Sequence, residues 1–447
     1  MSAVASADRP GRPRTGLLLL LLAVVVSVGA YALVGLGLRG RVPKDTLVYA
    51  LALGGAYLLA WGAVRWTAPR ADPVLLPIAA MLGGLGLAMI YRLLPADVAD
   101  QQALWLLFGL AAFVLTLLVV RDDRQLDAYT YTIGLLGLIL LLLPVVPGIG
   151  YSINGARLWT RLGPLTFQPA EFGRILIVIF LASYLSAKRE LLEAGVGRLG
   201  LPRAKDLGPI LLAWGASLAV LFLERDLGAS MLVFGVFVVM LWVASGRVGY
   251  LLVGGLLFAI GGVIGYLALP HVQARVSYWL HALEPANVHQ LGYGQLAQSW
   301  FALASGGLVG TGLGRGSPDL IPYPASDFIL SAFGEELGML GTAAILLLFV
   351  GLIGRGLRVA LDRDDSFGRL LATGLTVTIA LQTFTIAAGV TRLIPLTGVP
   401  LPLVSYGGTS KVATFIMIAL LVRISAGPWR PAPRSPTPRD APARSPA

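Results

Sequence analysis

The residues with the clearest chemical potential are carboxylates in an apolar setting. In 321–338, IPYPASDFILSAFGEELG, Asp327 stands where a proline-marked polar loop turns into an apolar helix. Glu335 and Glu336 follow about two turns further on. Carboxylates beside membrane-length segments are costly to bury, so each is a functional candidate. The competing role for Asp327 is helix N-capping. For Glu335 and Glu336 the expected roles are lining a water-filled cavity or pairing with Arg157, Arg174 or Arg392, at least one of them as a structural partner.

Four further stretches carry polar groups. NGARLWTRLGPLTFQPAEFGR, 154–174, opens on an Asn154-Gly155 turn signal. Arg157 and Arg161 follow, and Pro169 marks a helix start. Glu171 and Arg174, at i,i+3, form either an ion pair or, with Glu171 engaged elsewhere, an anion site, since guanidinium forks bind phosphate oxygens. In LERDLGAS, 223–230, Asp226 is placed to cap the next helix. In 290–316, Gln295, Gln298, Ser299, Ala302 and Ser305 form a polar or small stripe of a short helix. Glycines 306, 307, 310, 312, 314 and 316 then permit close backbone approach. In TRLIPLTGVPLPLVSYGGTSK, 391–411, the prolines and glycines exclude a regular span. The segment reads as re-entrant, carrying Ser405 and Tyr406 and leading into Lys411 at the last helix.

The elements that must position these groups are membrane helices. The chain has 447 residues, 56% apolar and 13% charged, against about a quarter charged in ordinary soluble domains. Continuous apolar runs, without alternation, exclude a β-barrel. Twelve segments emerge: 16–36, 45–65, 73–93, 102–120, 128–147, 171–187, 207–223, 229–245, 248–269, 327–354, 368–389 and 411–426. Most Lys and Arg fall on the side of the termini, including the cluster in 188–205, which places both termini in the cytoplasm. The long connections, among them 270–326, then lie outside and form the working face. The first run is a full span without a cleavage site. Residues 1–15 read as a cytoplasmic N-terminus, 16–70 as two added helices, 71–427 as a ten-helix core and 428–447 as a disordered basic, proline-rich tail.

The net charge of +11 points to topology and anionic membrane lipids, with no aromatic–basic interleaving to suggest nucleic acid. Cysteine is absent, which excludes disulfides and thiol chemistry, and His271, His281 and His289 lack metal-site spacing. Isolated carboxylates and cations on an outward polar cavity fit an enzyme acting on an anionic lipid-linked substrate. They also fit a transporter.

NGARLW with QPAEFGR, ERDLGAS, QSWFALASGGLVGTGLG, SDFILSAFGEELG and TGVPLPLVSYGGTS, in this order over 73–426, resemble the SEDS proteins (shape, elongation, division and sporulation), the RodA/FtsW/SpoVE family. GVTRLIPLTG and the two added helices are most similar to actinobacterial RodA-type members. The resemblance implies an all-α polytopic glycosyltransferase that polymerises lipid II on the outer face of the cytoplasmic membrane, for elongation or division, with a class B penicillin-binding protein as its transpeptidase partner. The family's essential aspartate falls on Asp327. Other motif positions fall on Arg157, Glu171, Arg174, Asp226, Gln298, Ser299 and Ser405. Arg174 replaces the usual lysine, Arg225 a proline and Ala229 a threonine, and Ile386 stands where an asparagine is common.

An inverting transfer from lipid II needs a base at the acceptor hydroxyl, for which Asp327 is the choice, and positive charge on the pyrophosphate. Arg157 and Arg174, with Arg392 or Lys411, are the expected cations. Room is left for a divalent cation, Mg or Mn, and the metal ligands are unassigned. A lipid II flippase and a non-catalytic scaffold are the alternatives; ionisable groups at the outer ends of spans, not the midplane, favour the enzyme.

Overall fold

The computed structural model describes residues 13–153, 156–162, 165–189, 208–224, 226–290 and 292–427. The first twelve residues, Asn154-Gly155, most of the basic 188–205 cluster, Arg225 and the tail 428–447 lie outside the described residues.

Each of the twelve apolar segments is a helix. Along the chain run α1 (Pro13–Arg39), α2 (Thr46–Thr67), α3 (Leu75–Leu93), α4 (Ala96–Val119), the single turn α5 (Arg124–Asp127) and α6 (Thr130–Leu142). After the strands described below come α7 (Pro169–Ala187), α8 (Gly208–Glu224), α9 (Leu227–Ser245), α10 (Val248–Ala268), α11 (Pro270–His281), α12 (Tyr293–Gly306), α13 (Ile329–Leu361), α14 (Ser366–Val390) and α15 (Gly408–Ser425). Ten are long and apolar enough to cross a membrane, whereas α6 and α8 are shorter apolar helices. Leu18, Leu59, Phe108, Leu135 and Leu267 point outward. Such an apolar belt would aggregate in water and is the lipid-facing surface of a multi-pass membrane protein.

Lipid gives helices no hydrophobic reason to associate, so close packing of small residues must hold them. Gly84 of α3 receives Ser27 of α1, Gly109 of α4 receives Phe415 of α15, and Gly356 of α13 receives Thr376 of α14. The added helices are thereby built onto the core, α1 lying along α3 and α2 along α4. Two ion pairs and a buried arginine bonded to carbonyls staple the end of the bundle remote from Asp327. Arg355 Nε donates to Asp72 Oδ2 (2.7 Å), Arg363 Nη2 to Asp123 Oδ2 (2.8 Å), and Arg423 to the carbonyls of Thr67 (2.7 Å) and Leu117 (2.8 Å).

At the Asp327 end the structure adds what the loop reading did not contain. Residues 148–170 hold a three-stranded antiparallel sheet, β1 (Gly150–Ile153), β2 (Ala156–Leu162) and β3 (Leu165–Phe167), in the order β1-β2-β3. Pro169, at the first turn of α7, follows directly. The expected interfacial helix in 290–306 is α12. The segment 391–407 is irregular and its residues 401–405 are buried in protein, as a re-entrant segment requires. It runs so close to α3 that a Cβ on Gly86 would lie 2.5 Å from the Val404 carbonyl.

Helix α13 is two helices. Gly338 has φ 68° and ψ −170°, which breaks the spiral after a half-helix over 329–337. The break exposes backbone groups that a membrane cannot satisfy, and the glycine-rich loop supplies their partners. Thr311 N–H donates to Glu335 O (2.9 Å) and Gly312 N–H to Glu336 O (2.9 Å). Met339 N–H donates to Gly307 O (2.9 Å) and Leu340 N–H to Leu308 O (3.1 Å).

Candidate active site

Asp327 lies two residues before α13 and does not cap it. Phe328 is the N-cap, without a side-chain bond, and its carbonyl takes the Ser331 and Ala332 N–H groups. The capping expectation is therefore corrected: the helix starts too late for the Asp327 carboxylate to reach its first free N–H groups. Burial pushes its pKa up, Arg275 of α11 draws it down and Asp226 pushes it up again, leaving it at about 6. A carboxyl poised there is ionised at neutral pH yet basic enough to accept a proton.

Its loop is held from the re-entrant segment. Ser405 Oγ donates to Ser326 O (2.6 Å) and Tyr406 N–H to Ala325 O (2.8 Å). Arg275, which sequence reasoning missed, donates from Nη1 to Leu396 O (3.0 Å), so the cation beside Asp327 is fixed to the same segment. Its only signal in the sequence was a cation in an outer loop.

A line of charge continues from Asp226. As expected, Asp226 caps α9, its Oδ1 accepting from Ala229 N at 3.0 Å. Next comes Glu224, fully buried, with both carboxylate oxygens lacking a hydrogen-bond partner among the described residues and with Asp226 and Arg174 as its charged neighbours. Glu224 was also missed, although LERDLGAS advertised its charge. Arg174 Nη2 bonds Glu171 Oε1 at 2.5 Å, the ion-pair alternative, while Nη1 is buried with no partner among the described residues. An apolar cavity of about 270 Å³ opens beside α9, lined by Leu218, Leu227, Phe234, Tyr266 and Ile394 among others.

The structure thus sets Asp327 near Arg275 and Asp226, and Glu224 near Asp226 and Arg174, which pairs with Glu171. Other expected residues are placed differently. Arg157 stands on β2, half-buried. Ser299 is buried against Ser331 (2.6 Å), Gln298 is half-buried beside it, and Ser305 is exposed and bonds Ala302 O (2.9 Å). Arg392 is spent on structure: it donates to the carbonyls of Trp279 (2.7 Å) and Leu280 (2.8 Å) and lies over the Trp300 ring. Lys411 is buried in the first turn of α15 and its Nζ has no partner among the described residues.

The pairing expected for Glu335 and Glu336 is corrected. Neither binds Arg157, Arg174 or Arg392. Glu336 Oε1 accepts from Arg92 Nε of α3 (2.8 Å) and Oε2 from Gly314 N (2.8 Å), while Glu335 Oε1 accepts from Ser317 N (2.7 Å). The helix break turns both glutamates toward the glycine-rich loop and away from the cavity arginines. Among the described residues no three carboxylates or histidines stand close enough to form a metal site.

Comparison with known proteins agrees with this architecture. The family model of FtsW, RodA and SpoVE, described as cell cycle proteins, matches residues 74–428. The peptidoglycan glycosyltransferase RodA of Mycobacterium tuberculosis H37Rv is 45% identical over 445 residues, covering 96% of this chain and 94% of that protein. That of Mycobacterium leprae is 43% identical with the same coverage. A protein named probable peptidoglycan glycosyltransferase FtsW, from Geobacter metallireducens, is 32% identical over 80% of this chain and 95% of its own. The RodA matches are long enough to include α1 and α2. A chain from a solved structure on the structural coordination of polymerization and crosslinking by a peptidoglycan synthase complex superposes with a TM-score of 0.65 at 27% identity, covering 81% of this chain and 99% of that one. The crystal structure of Thermus thermophilus RodA shares the fold, with a TM-score of 0.55 at 24% identity, covering 81% and 98%. With the core, the added helices and the Asp327 loop all matching, the chain belongs to the FtsW/RodA/SpoVE family of cell cycle proteins, and within it to the actinobacterial RodA type.

Proposed function

We propose that this chain is a peptidoglycan glycosyltransferase that polymerises lipid II, with the Asp327 end of the bundle facing outward from the cytoplasmic membrane and both termini inside. The observation that carries the reading is Asp327 itself, a carboxylate freed from capping, raised to about 6 and fixed beside a cation. The acceptor's sugar 4-hydroxyl attacks the anomeric carbon of the donor and its proton passes to Asp327. The bond from that carbon to the pyrophosphate breaks as the new glycosidic bond forms. One displacement converts an α-linked donor into a β-1,4 strand, with inversion. Arg174, whose Nη1 has no partner among the described residues, would take charge on the leaving pyrophosphate, with the half-buried Arg157 of β2 as a second cation. The apolar cavity beside α9 suits the lipid chain.

A divalent cation, Mg or Mn, would fit only as a guest of the substrate. Isolated carboxylates such as Asp226 supply one ligand, phosphate oxygens and water the rest, and the ion would add positive charge at the pyrophosphate. The family's relation to a peptidoglycan synthase complex supports a transpeptidase partner, a class B penicillin-binding protein, docked on the exposed apolar spans.

Purified chain, with and without its cognate penicillin-binding protein, is to be given lipid II and the products resolved by gel. Wild type makes glycan strands, and Asp327→Asn makes almost none. Strands of normal length from Asp327→Asn, or lipid translocation in proteoliposomes without any polymer, would sink the assignment.

A further inference from the structure

Helix α15 starts beside the catalytic loop, since Tyr406 is bonded to Ala325 and Ser405 to Ser326. The helix is 18 residues long and presents the positive end of its dipole there. Gln102 of α4 is fully buried and accepts the Gly407 N–H on Oε1 at 3.4 Å, while Nε2 of the same amide has no partner among the described residues. Lys411 lies four residues after Gly407, and its N–H donates to Gly407 O at 3.2 Å. Helical side chains lean toward the N-terminus, over the turn that precedes them. The Lys411 chain therefore runs back toward Gly407 and the Gln102 amide. Only 1% of Lys411 is exposed, and its ammonium too has no partner among the described residues.

Two buried donors at one helix N-terminus thus lack an acceptor among the described residues. Burying an ammonium unpaired is costly, and such a group calls for an anion. The wall is fixed on one side by Trp105, packed so tightly that a Cβ on Gly408 would fall 2.2 Å from its ring. Tyr406, Gly407 and Gly408, which precede Lys411 on the Asp327 side, are half-buried.

We infer that Gln102, Lys411 and the N-terminus of α15 form a second phosphate subsite, distinct from Arg174, for the pyrophosphate of a lipid-linked sugar. This rests on the proposed polymerase reading. Joining two lipid-linked sugars requires two phosphate groups to be held at once. The charged line ending at Arg174 serves one, and the pair on α4 and α15 serves the other.

The test is calorimetric titration of the full-length protein in detergent with inorganic pyrophosphate. Wild type binds two equivalents, and Lys411→Met and Arg174→Met bind one each. Gln102→Leu weakens the Lys411-dependent site by roughly tenfold, the loss of one charge-assisted contact. Lys411→Met also raises the melting temperature of the free protein, because an unpaired buried charge has gone, while raising KM for lipid II more than it lowers kcat. A structural lysine would instead lower the melting temperature and leave pyrophosphate binding intact, which would overturn the inference. So would a single equivalent lost entirely in Arg174→Met. Competition by phosphatidylglycerol vesicles in wild type but not in Lys411→Met would assign the site to a lipid headgroup and overturn the substrate assignment. Lys411-dependent binding by a protein that makes no polymer would sink the polymerase reading and leave the anion site standing.

Discussion

The pH dependence of polymerisation tests the site most directly. In the proposed mechanism Asp327 serves as the base only when ionised, and burial holds its pKa at about 6. The rate at limiting lipid II is therefore flat above pH 7, half-maximal near pH 6 and about tenfold lower at pH 5, where roughly a tenth of the carboxylate is ionised. Burial and Asp226 raise the value, and Arg275 opposes both. Arg275→Met removes the only one of these influences that favours the charged form, so the acid limb moves to higher pH. At pH 6 the variant is slower than wild type, and it recovers as pH rises. Arg275→Lys keeps the cation and stays near the wild-type limb. Asp327→Asn loses about 10²–10⁴-fold, the usual contribution of a general base, and its residual rate has no limb in this range. Initial rates with labelled lipid II between pH 5 and 8 measure all four proteins. A wild-type limb near pH 4, the ordinary carboxylate range, would refute the argument. So would an Arg275→Met loss that is the same at every pH, the signature of a merely structural arginine.

Asp226→Ala should act in the opposite sense, moving the acid limb to lower pH by removing an anion near Asp327 and costing ~1 kcal/mol of stability through the lost cap. Glu336→Gln breaks the buried pair and leaves Arg92 only the exposed Asp319 at 3.5 Å, so detergent melting curves should report a loss of about 3 kcal/mol. Gly338→Ala should abolish the folded, monodisperse protein seen by size exclusion. Its Cβ would sit 2.3 Å from Gly310 N in a left-handed backbone, whereas Gly255→Ala, with open space around it, should be silent.

What was legible follows from which signals are local. A span is a run of about 20 apolar residues, so all twelve helices could be read from the chain. Asp327 was legible because a carboxylate between a proline-rich loop and an apolar helix is rare. Asp226 and the Glu171–Arg174 pair were legible because caps and i,i+3 contacts are set by sequence spacing. The sheet in 148–170 was not: its strands have four, seven and three residues, too short for alternation to stand out against an ordered loop. Arg275 and Arg92 were invisible for another reason. Each acts on a residue far away in sequence, Asp327 and Glu336, and nothing near either arginine encodes its partner. Arg392 misled because its charge was read and its carbonyl partners on α11 were not.

The break in α13 explains why one carboxylate in 321–338 is free and two are not. A continuous helix would have left the glycine-rich loop without partners. With the spiral interrupted at Gly338, the loop's N–H groups bond the Glu335 and Glu336 carbonyls, and their side chains reach Gly314 N, Ser317 N and Arg92. Arg92 also donates to Gly316 O (2.8 Å), closing the loop onto α3. The outer side of this clasp is braced by α1, where Gly37 approaches so closely that a Cβ would lie 2.2 Å from Leu313 O and 2.9 Å from Gly314 Cα. Tyr31 of α1 stacks on Tyr49 and Tyr91, next to Arg92 in sequence. Helix α1 thus bears on the loop that fixes the half-helix, with α2 stacked on it through Tyr49, and the half-helix begins two residues after Asp327. In the proposed mechanism the contribution of α1 is mechanical: it braces the clasp from which the half-helix behind Asp327 is held.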